Sequence, residues 1–231
     1  MSGKNQSYSR RQLITKTDAR SPVTEQYKTI RTNIQFSAID HEIKSIMLTS
    51  SNPGEGKSTT AANLAVVFAQ QGKKVLLVDT DLRKPVVHTI FEIKNNIGLT
   101  NVLTKRKSLK DAVKPTSESN LFVLPSGPIP PNPAELLLSH AMKNLYELAL
   151  CTYDLVIFDT PPLLAVTDAQ IISGFCDGTI LVVSSGKTKV EEVDKGLELL
   201  KKANANMLGV VLNNKKVTNQ NHYYYYYGTK K

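Results

Sequence analysis

The chain has 231 residues, 41% of them hydrophobic and 21% charged, enough for one large domain with a buried core and short for two. Its net charge of +9 sits at the ends: residues 1–33 hold seven Lys/Arg against two acids, residues 214–231 hold four lysines and no acid, and the interval balances. A neutral body with two basic arms excludes a broad nucleic-acid surface, although each arm can meet anionic lipid or a phosphorylated partner.

Residues 1–22 are polar and basic, end in Ser21-Pro22, and are expected to form a flexible arm. They lack the apolar core of a secretory signal, and no run in the chain nears the roughly 18 apolar residues of a membrane span, so a cytoplasmic location is expected. From Val23 to about Ala38, Tyr27, Ile30 and Ile34 recur at helical spacing and predict an amphipathic helix. The apolar run KSIMLTS (44–50) reads as a strand, followed by a Gly-rich turn and a helix over 57–72 closed by Gly72. KVLLVD (74–79) is a second strand. Short helical pieces around 98–113 precede a strand at 121–127. Asn132-Pro133 opens a helix running to about Thr152, with Pro at its first position. DLVIFD (154–159) and GTILVVSS (178–185) are strands of the buried type, 188–205 is a helix, and MLGVVLN (207–213) is the last strand. Strands apolar throughout, alternating with helices, predict an α/β fold: a doubly wound, mostly parallel sheet covered on both faces. Cys151 and Cys176 show no metal-type spacing, fit reduced thiols and receive no function. Residues 214–231 have no core pattern and are expected to be a disordered tail.

The stretch TSSNPGEGKSTTAANLA crosses from strand end to helix start. Gly54 and Gly56 let the backbone approach a phosphate with its N–H groups turned inward, at a helix N-terminus whose dipole favours anions. In such a loop Lys57 reaches the β and γ phosphates and the Ser58 hydroxyl ligates Mg²⁺. Asn52, Pro53, Gly54, Glu55, Gly56, Lys57, Ser58 and Thr59 are therefore the expected nucleotide-binding residues for ATP. Ser51 stands where the usual GxxxxGK[ST] pattern opens with Gly. LLVDTDLRKP puts Asp79 and Asp81 at the end of one strand, and DLVIFDTPP puts Asp159 at the end of another. Those are carboxylates at the carboxyl edge of a parallel sheet, where ligands bind.

PGEGKST, LLVDTDLRKP and VIFDTPP, with a tyrosine-rich C-terminus, resemble the bacterial tyrosine kinases of capsule and exopolysaccharide synthesis. The likeness runs from about Glu25 to the end. It is to the kinase half of the Gram-positive type, in which membrane activator and cytoplasmic kinase are separate chains. The resemblance implies a P-loop kinase domain over 23–213, ATP and Mg²⁺ as cofactors, and Lys57, Asp79 and Asp81 as catalytic residues. Ser58, Asp81 and Asp159 would hold the metal, and Asp79 is the expected acceptor of the phenol's proton, a role Asp81 could also fill. It further implies recruitment to the inner face of the membrane by an activator or polysaccharide co-polymerase chain. A cognate tyrosine phosphatase and protein substrates such as sugar-nucleotide enzymes are implied too, and no nucleic-acid partner is. Glu25, Lys28 and Arg31 occupy the positions of the family's oligomer-forming ExxRxxR helix, with Lys28 for the first arginine, and imply a homo-oligomeric ring, an octamer. Read from the residues alone, the same trio is also an ordinary solvated helix face. The septum-positioning and plasmid-partition ATPases share the architecture and give the alternative of an ATPase switch binding membrane or DNA. They resemble KGGxGKT, and Asn52 stands where their extra lysine lies.

The chain closes NHYYYYYGTKK, with five of its nine tyrosines, Tyr223, Tyr224, Tyr225, Tyr226 and Tyr227, in one run. By composition that run fits a β-prone sticky segment, a base-stacking platform, or hydroxyls meant for modification. Beside the kinase motifs all five read as a phosphoacceptor cluster. The 12 residues from Asn213 to Tyr225 average roughly 20 Å as a flexible chain and reach about 40 Å when extended, enough to enter a neighbour's active site.

Overall fold

The computed structural model of the chain describes residues 13–37 and 42–216. Seven strands form one sheet: β1 (Ser45–Ser50), β2 (Val75–Asp79), β3 (Lys114–Pro115), β4 (Leu121–Leu124), β5 (Leu155–Asp159), β6 (Gly178–Ser184) and β7 (Met207–Asn213). Their order is β3-β4-β2-β5-β1-β6-β7, with every pairing parallel except that of β3 with β4. All residues of β1, β2, β5 and β6 are buried, which is why those segments read as unbroken apolar runs rather than alternating ones.

One face of the sheet carries α1 (Ile14–Thr17), α2 (Pro22–Phe36), α3 (Lys57–Ala69) and α4 (Val87–Ile90), packed around Ile46, Leu48, Leu77 and Ile157. The other carries α5 (Leu99–Leu103), α6 (Leu109–Ala112), α7 (Pro133–Leu138), α8 (His140–Thr152), α9 (Asp168–Ser173) and α10 (Val190–Lys202), around Met47, Leu76, Phe158 and Leu181. The doubly wound α/β fold expected from the sequence is the fold observed. Among the described residues no helix is long and apolar enough to cross a membrane.

Two expectations are corrected. The segment expected to be flexible as far as Pro22 is packed from Leu13 onward. Leu13 is in the core, α1 follows, and the Thr15 N–H and hydroxyl both donate to Asn63 Oδ1 of α3 at 3.1 and 2.9 Å. The reason is that α3 is buried on all sides except at Thr59, so its outer face must be covered by other chain, here α1 and α2. The single helix expected from Pro133 to Thr152 is two. Ser139 is extended (ψ 155°), donates its hydroxyl to the Leu136 carbonyl and accepts from the Met142 N–H, closing α7 and capping α8.

Candidate active site

The carboxyl edge of the sheet opens into a cleft of about 600 Å³. The loop between β1 and α3 forms its floor. Gly54 and Gly56 take left-handed backbone angles (φ +79° and +93°), and Gly56 is the N-cap of α3. A Cβ at Gly56 would lie 2.0 Å from Asn213 Nδ2, so glycine is required there by both angle and space. Pro53, Gly54, Gly56, Lys57, Ser58 and Thr59 line the cleft. Asn52 and Glu55 do not, and instead fold the loop. Glu55 is buried, accepts from the Asn52 N–H at 3.1 Å and from the Thr188 hydroxyl, and its carbonyl accepts from Asn213 Nδ2 at 2.9 Å.

Lys57 is the electrostatic centre. Its ammonium lies 3.2 Å from Asp81 Oδ2 and 3.2 Å from Asp159 Oδ1, and donates to Ser58 Oγ at 3.1 Å. Burial works against that charge, but Asp159, then Asp81 and Asp79, outweigh it and lift the pKa above the usual lysine value. Asp159 is fully buried, and its Oδ2 has no hydrogen-bond partner. Burial pushes its carboxyl above the ordinary range even though the Lys57 charge pulls it down.

Asp79 and Asp159 end adjacent strands in register, yet only Asp81 of the β2 pair lines the cleft. Asp79 is fully buried. One oxygen accepts from the Asp81 N–H at 3.2 Å, the other from the Val86 and Val87 N–H groups at 3.2 and 3.0 Å. Burial first, and then the Asp159 charge, hold its carboxyl well above the usual range. The structure therefore does not bring Asp79 to the position of a base facing an acceptor. Its carboxylate is already committed to shaping the loop from Thr80 to Val87. Asp81 keeps one oxygen on Lys57 and accepts from the Lys84 N–H with the other.

Several residues of the site escape sequence reading. Arg83 lines the cleft and grips fully buried Asp168 with two parallel hydrogen bonds, Nε to Oδ2 at 2.9 Å and Nη2 to Oδ1 at 3.0 Å. The pair ties the loop after β2 to the segment after β5. Lys187 donates to the Gly54 carbonyl at 3.4 Å, and Asn213 and Asn214 line the cleft from the β7 end. The only sequence signals are a charged "RK" after the second strand-end aspartate and polar residues at a strand terminus, both common.

The expected oligomer-forming trio does not share one environment. Lys28 and Glu25 pair with each other at 2.7 Å on the surface, whereas Arg31 turns inward and donates to the Val67 carbonyl of α3 at 2.8 Å. The five expected phosphoacceptors, Tyr223, Tyr224, Tyr225, Tyr226 and Tyr227, all lie outside the described residues.

The residues present suit a nucleotide-bound Mg²⁺. This hard cation takes one or two carboxylates, phosphate oxygens and water. Ser58 at the first turn of α3, Asp81 and the unpartnered Oδ2 of Asp159 supply oxygens. Among the described residues no group of three His, Cys, Asp or Glu is arranged to hold a metal unaided, so the remaining ligands would come from nucleotide and water.

A glycine loop at a helix N-terminus, a buried lysine and strand-end carboxylates on a parallel sheet define a P-loop nucleotide-binding protein. A family model described as an AAA domain matches residues 43–210. The chain is 58% identical to the tyrosine-protein kinase YwqD of Bacillus subtilis over 206 residues, 89% of this chain and 87% of that one. It is 42% identical to the putative tyrosine-protein kinase CapB of Staphylococcus aureus, over 84% of this chain and 85% of CapB. Its structure superposes on the chimerical protein CapA2B2 with a TM-score of 0.86 at 47% identity, covering 89% and 90% of the two chains. The chain belongs to the bacterial tyrosine-protein kinase family.

Proposed function

We propose that the chain transfers the γ-phosphoryl group of Mg²⁺-bound ATP to tyrosines of its own C-terminal cluster, Tyr223 to Tyr227, in trans. Its place is in capsular and extracellular polysaccharide synthesis. The observation that supports this reading is the Lys57 ammonium, 3.2 Å from both Asp81 and Asp159, in a cleft also lined by Asn214, from which the tail departs.

ATP and Mg²⁺ supply the phosphoryl group and neutralise the charge that develops on it. The loop amides and the α3 N-terminus bind the phosphates. Lys57 exchanges its carboxylate partners for the β and γ phosphates, which a lysine can do because its ammonium is a compact charge on a flexible stem. Ser58 and the unpartnered Oδ2 of Asp159 would hold the metal, which leaves Asp81 for the proton. In the transfer, the bond from the γ-phosphorus to the ADP oxygen breaks and a bond to the tyrosine Oη forms. The phenol proton, of pKa about 10, passes to a carboxylate. Asp81 is that carboxylate, since it already faces the cleft. Asp79 fixes the loop that carries Asp81, in place of the base role expected for it from sequence.

The kinase domain spans 13–213, since Leu13 and α1 are packed against α3, and the acceptor tail, 214–231, follows it. The chain works in the cytoplasm, at the inner face of the membrane, beside a membrane activator chain. It assembles as a homo-oligomer through the α2 surface bearing Glu25 and Lys28, and is reset by a tyrosine phosphatase. Full modification would add about −7 to −10 charge to a tail that carries four lysines, and so loosens the assembly. Two measurements test this. Intact mass after incubation with Mg²⁺ and ATP, with and without a peptide from the activator's cytoplasmic segment, should show a ladder of phosphate additions mapping to Tyr223, Tyr224, Tyr225, Tyr226 and Tyr227. Light scattering should show a smaller particle after phosphorylation than before; equal masses would remove the assembly part of the proposal.

A further inference from the structure

A phosphate loop turns several N–H groups toward one point, and without an anion those dipoles repel one another. Other contacts must then hold the loop in shape. Here they come from outside the loop and outside every sequence motif. Glu55, the loop's one acid, is 1% exposed. Its carboxylate meets two neutral donors, Oε2 accepting from the Asn52 N–H at 3.1 Å and Oε1 from the Thr188 hydroxyl. Thr188 Oγ1 in turn accepts from the Ser184 N–H at 3.0 Å. An N–H can only donate and an ionised carboxylate can only accept, so the hydroxyl between them has its proton directed at Glu55. The loop is thereby chained to β6, which is buried along its whole length. Two loop carbonyls are held as well. Lys187 donates to that of Gly54 at 3.4 Å, and Asn213 Nδ2 to that of Glu55 at 2.9 Å. Across a trans peptide the C=O and the next N–H point in opposite directions, so carbonyls drawn outward turn the Glu55 and Gly56 N–H groups inward.

We infer that Thr188 is a positioning residue for nucleotide binding. Through Glu55 it keeps the phosphate loop in its anion-receiving shape before a nucleotide arrives, with Lys187 and Asn213 bracing the carbonyls beside it. Thr188 itself does not line the cleft, and it lies 133 residues from Glu55 in sequence. Its effect is on population. The apparent Kd equals the intrinsic one divided by the fraction of chains whose loop already has the receptive shape. Cutting the Thr188–Glu55 contact lowers that fraction, and so weakens nucleoside diphosphates and triphosphates alike. Once bound, the phosphates themselves hold the loop, so the transfer step keeps most of its rate. The inference deepens the nucleotide-binding part of the reading above and rests on it.

Thr188→Val keeps the side chain's shape and removes its hydroxyl; Thr188→Ser returns the hydroxyl. In the full chain, Thr188→Val should raise the Kd for a fluorescent ADP analogue with Mg²⁺ by about tenfold or more. The KM for ATP in phosphorylation of a tail peptide should rise with it, and kcat should fall by less than KM rises. Hydrogen exchange over residues 52–58 of the nucleotide-free chain should quicken, and the difference from the parent should close at saturating Mg²⁺–ADP. Thr188→Ser should stay within about twofold of the parent in each readout. Should Thr188→Val fail to fold, Glu55→Gln carries the same test: it keeps the glutamate shape, weakens acceptance from both donors, and should raise the Kd in the same direction. An unchanged Kd in the folded variant, even with a lower Tm, would reduce the contact to ordinary packing and overturn the inference. A loss confined to kcat would overturn it as well. A parent chain that binds the analogue but phosphorylates no tyrosine would sink the kinase reading and leave this inference standing. One that binds no nucleotide would sink both.

Discussion

Asp159 and Asp168 are both fully buried, yet the protein treats them in opposite ways. Asp168 meets a planar guanidinium that satisfies both its oxygens at 2.9 and 3.0 Å. Asp159 shares one ammonium with Asp81, leaves its Oδ2 without a partner, and is held by burial above the ordinary carboxylate range despite the Lys57 charge. The Arg83–Asp168 fork is bidentate and closed, suited to holding two loops in one geometry. The Lys57 cluster is under-satisfied and open to rearrangement, as a site must be if its lysine and carboxylates are to turn toward phosphate and metal. Unsatisfied buried charge costs stability, and its location beside the P-loop puts that cost at the reaction centre.

The comparison can be broken most sharply at Lys57. Lys57→Met should reduce tyrosine phosphorylation by on the order of 10³-fold or more, since charge stabilisation is the main protein contribution to phosphoryl transfer. A phosphocellulose assay of the tail peptide would read it, and a loss below tenfold would detach Lys57 from the chemistry. The next effect is on stability and has an unusual sign. Asp159 and Asp79 have folded pKa values above their unfolded value near 3.8. The native chain then holds more protons than the unfolded one as pH rises past 3.8, and stability falls from there up to the folded pKa. Lys57 behaves on the alkaline side: its raised pKa gives stability that is complete below about 10.5 and lost as pH climbs through the folded value.

Asp159→Asn should therefore abolish activity while raising the Tm of the nucleotide-free protein at neutral pH. A gain of about 1 kcal/mol corresponds to roughly 2–4 °C for a chain of this size, and the slope of Tm against pH above 3.8 should flatten. A lower Tm in thermal melts across that range would reverse the account of this buried carboxylate. Asp168→Ala should act in the ordinary direction, losing about 1–2 kcal/mol in denaturant titration. The figure is held down because the Arg83 side chain is 39% exposed and can find water. Smallest of all, Lys28→Ala removes a surface pair whose members are 36% and 56% exposed. It should change stability by less than about 0.5 kcal/mol, so a larger particle-size effect in light scattering would be an effect on assembly.

The sequence made the architecture and the phosphate loop legible because both are local signals. Buried parallel strands are apolar throughout, and PGEGKST sits between a strand and a helix. The aspartates at strand ends were legible as positions, but not as orientations. Asp79 and Asp81 are two residues apart, and only backbone N–H groups from Val86 and Val87 decide which of them turns away from the cleft. Arg83 and Asp168 are 85 residues apart, and nothing local marks them as partners. Asn213 meets Glu55 across 158 residues of chain because β6 and β7 lie beside β1 in the sheet. Leu13 to Thr17 carries too little pattern for one turn to be foreseen, and is ordered by the needs of α3. Arg31 shows the same limit: its spacing from Glu25 and Lys28 suggested one exposed face, and a carbonyl on α3 drew it inward.

Phosphorylation in trans at the tail is the central claim, and a mixing experiment tests it directly. The full chain carrying Lys57→Met with its tail intact is incubated with Mg²⁺, ATP and activator peptide. With it is a chain that keeps Lys57 but has Tyr223, Tyr224, Tyr225, Tyr226 and Tyr227 changed to Phe. Intact mass spectrometry should then show up to five phosphates on the Lys57→Met chain, none on the Phe chain, and none on either chain alone. ATP turnover by the Phe chain with no mass gain on its partner would contradict the claim and leave the protein an ATPase whose tyrosines serve something else.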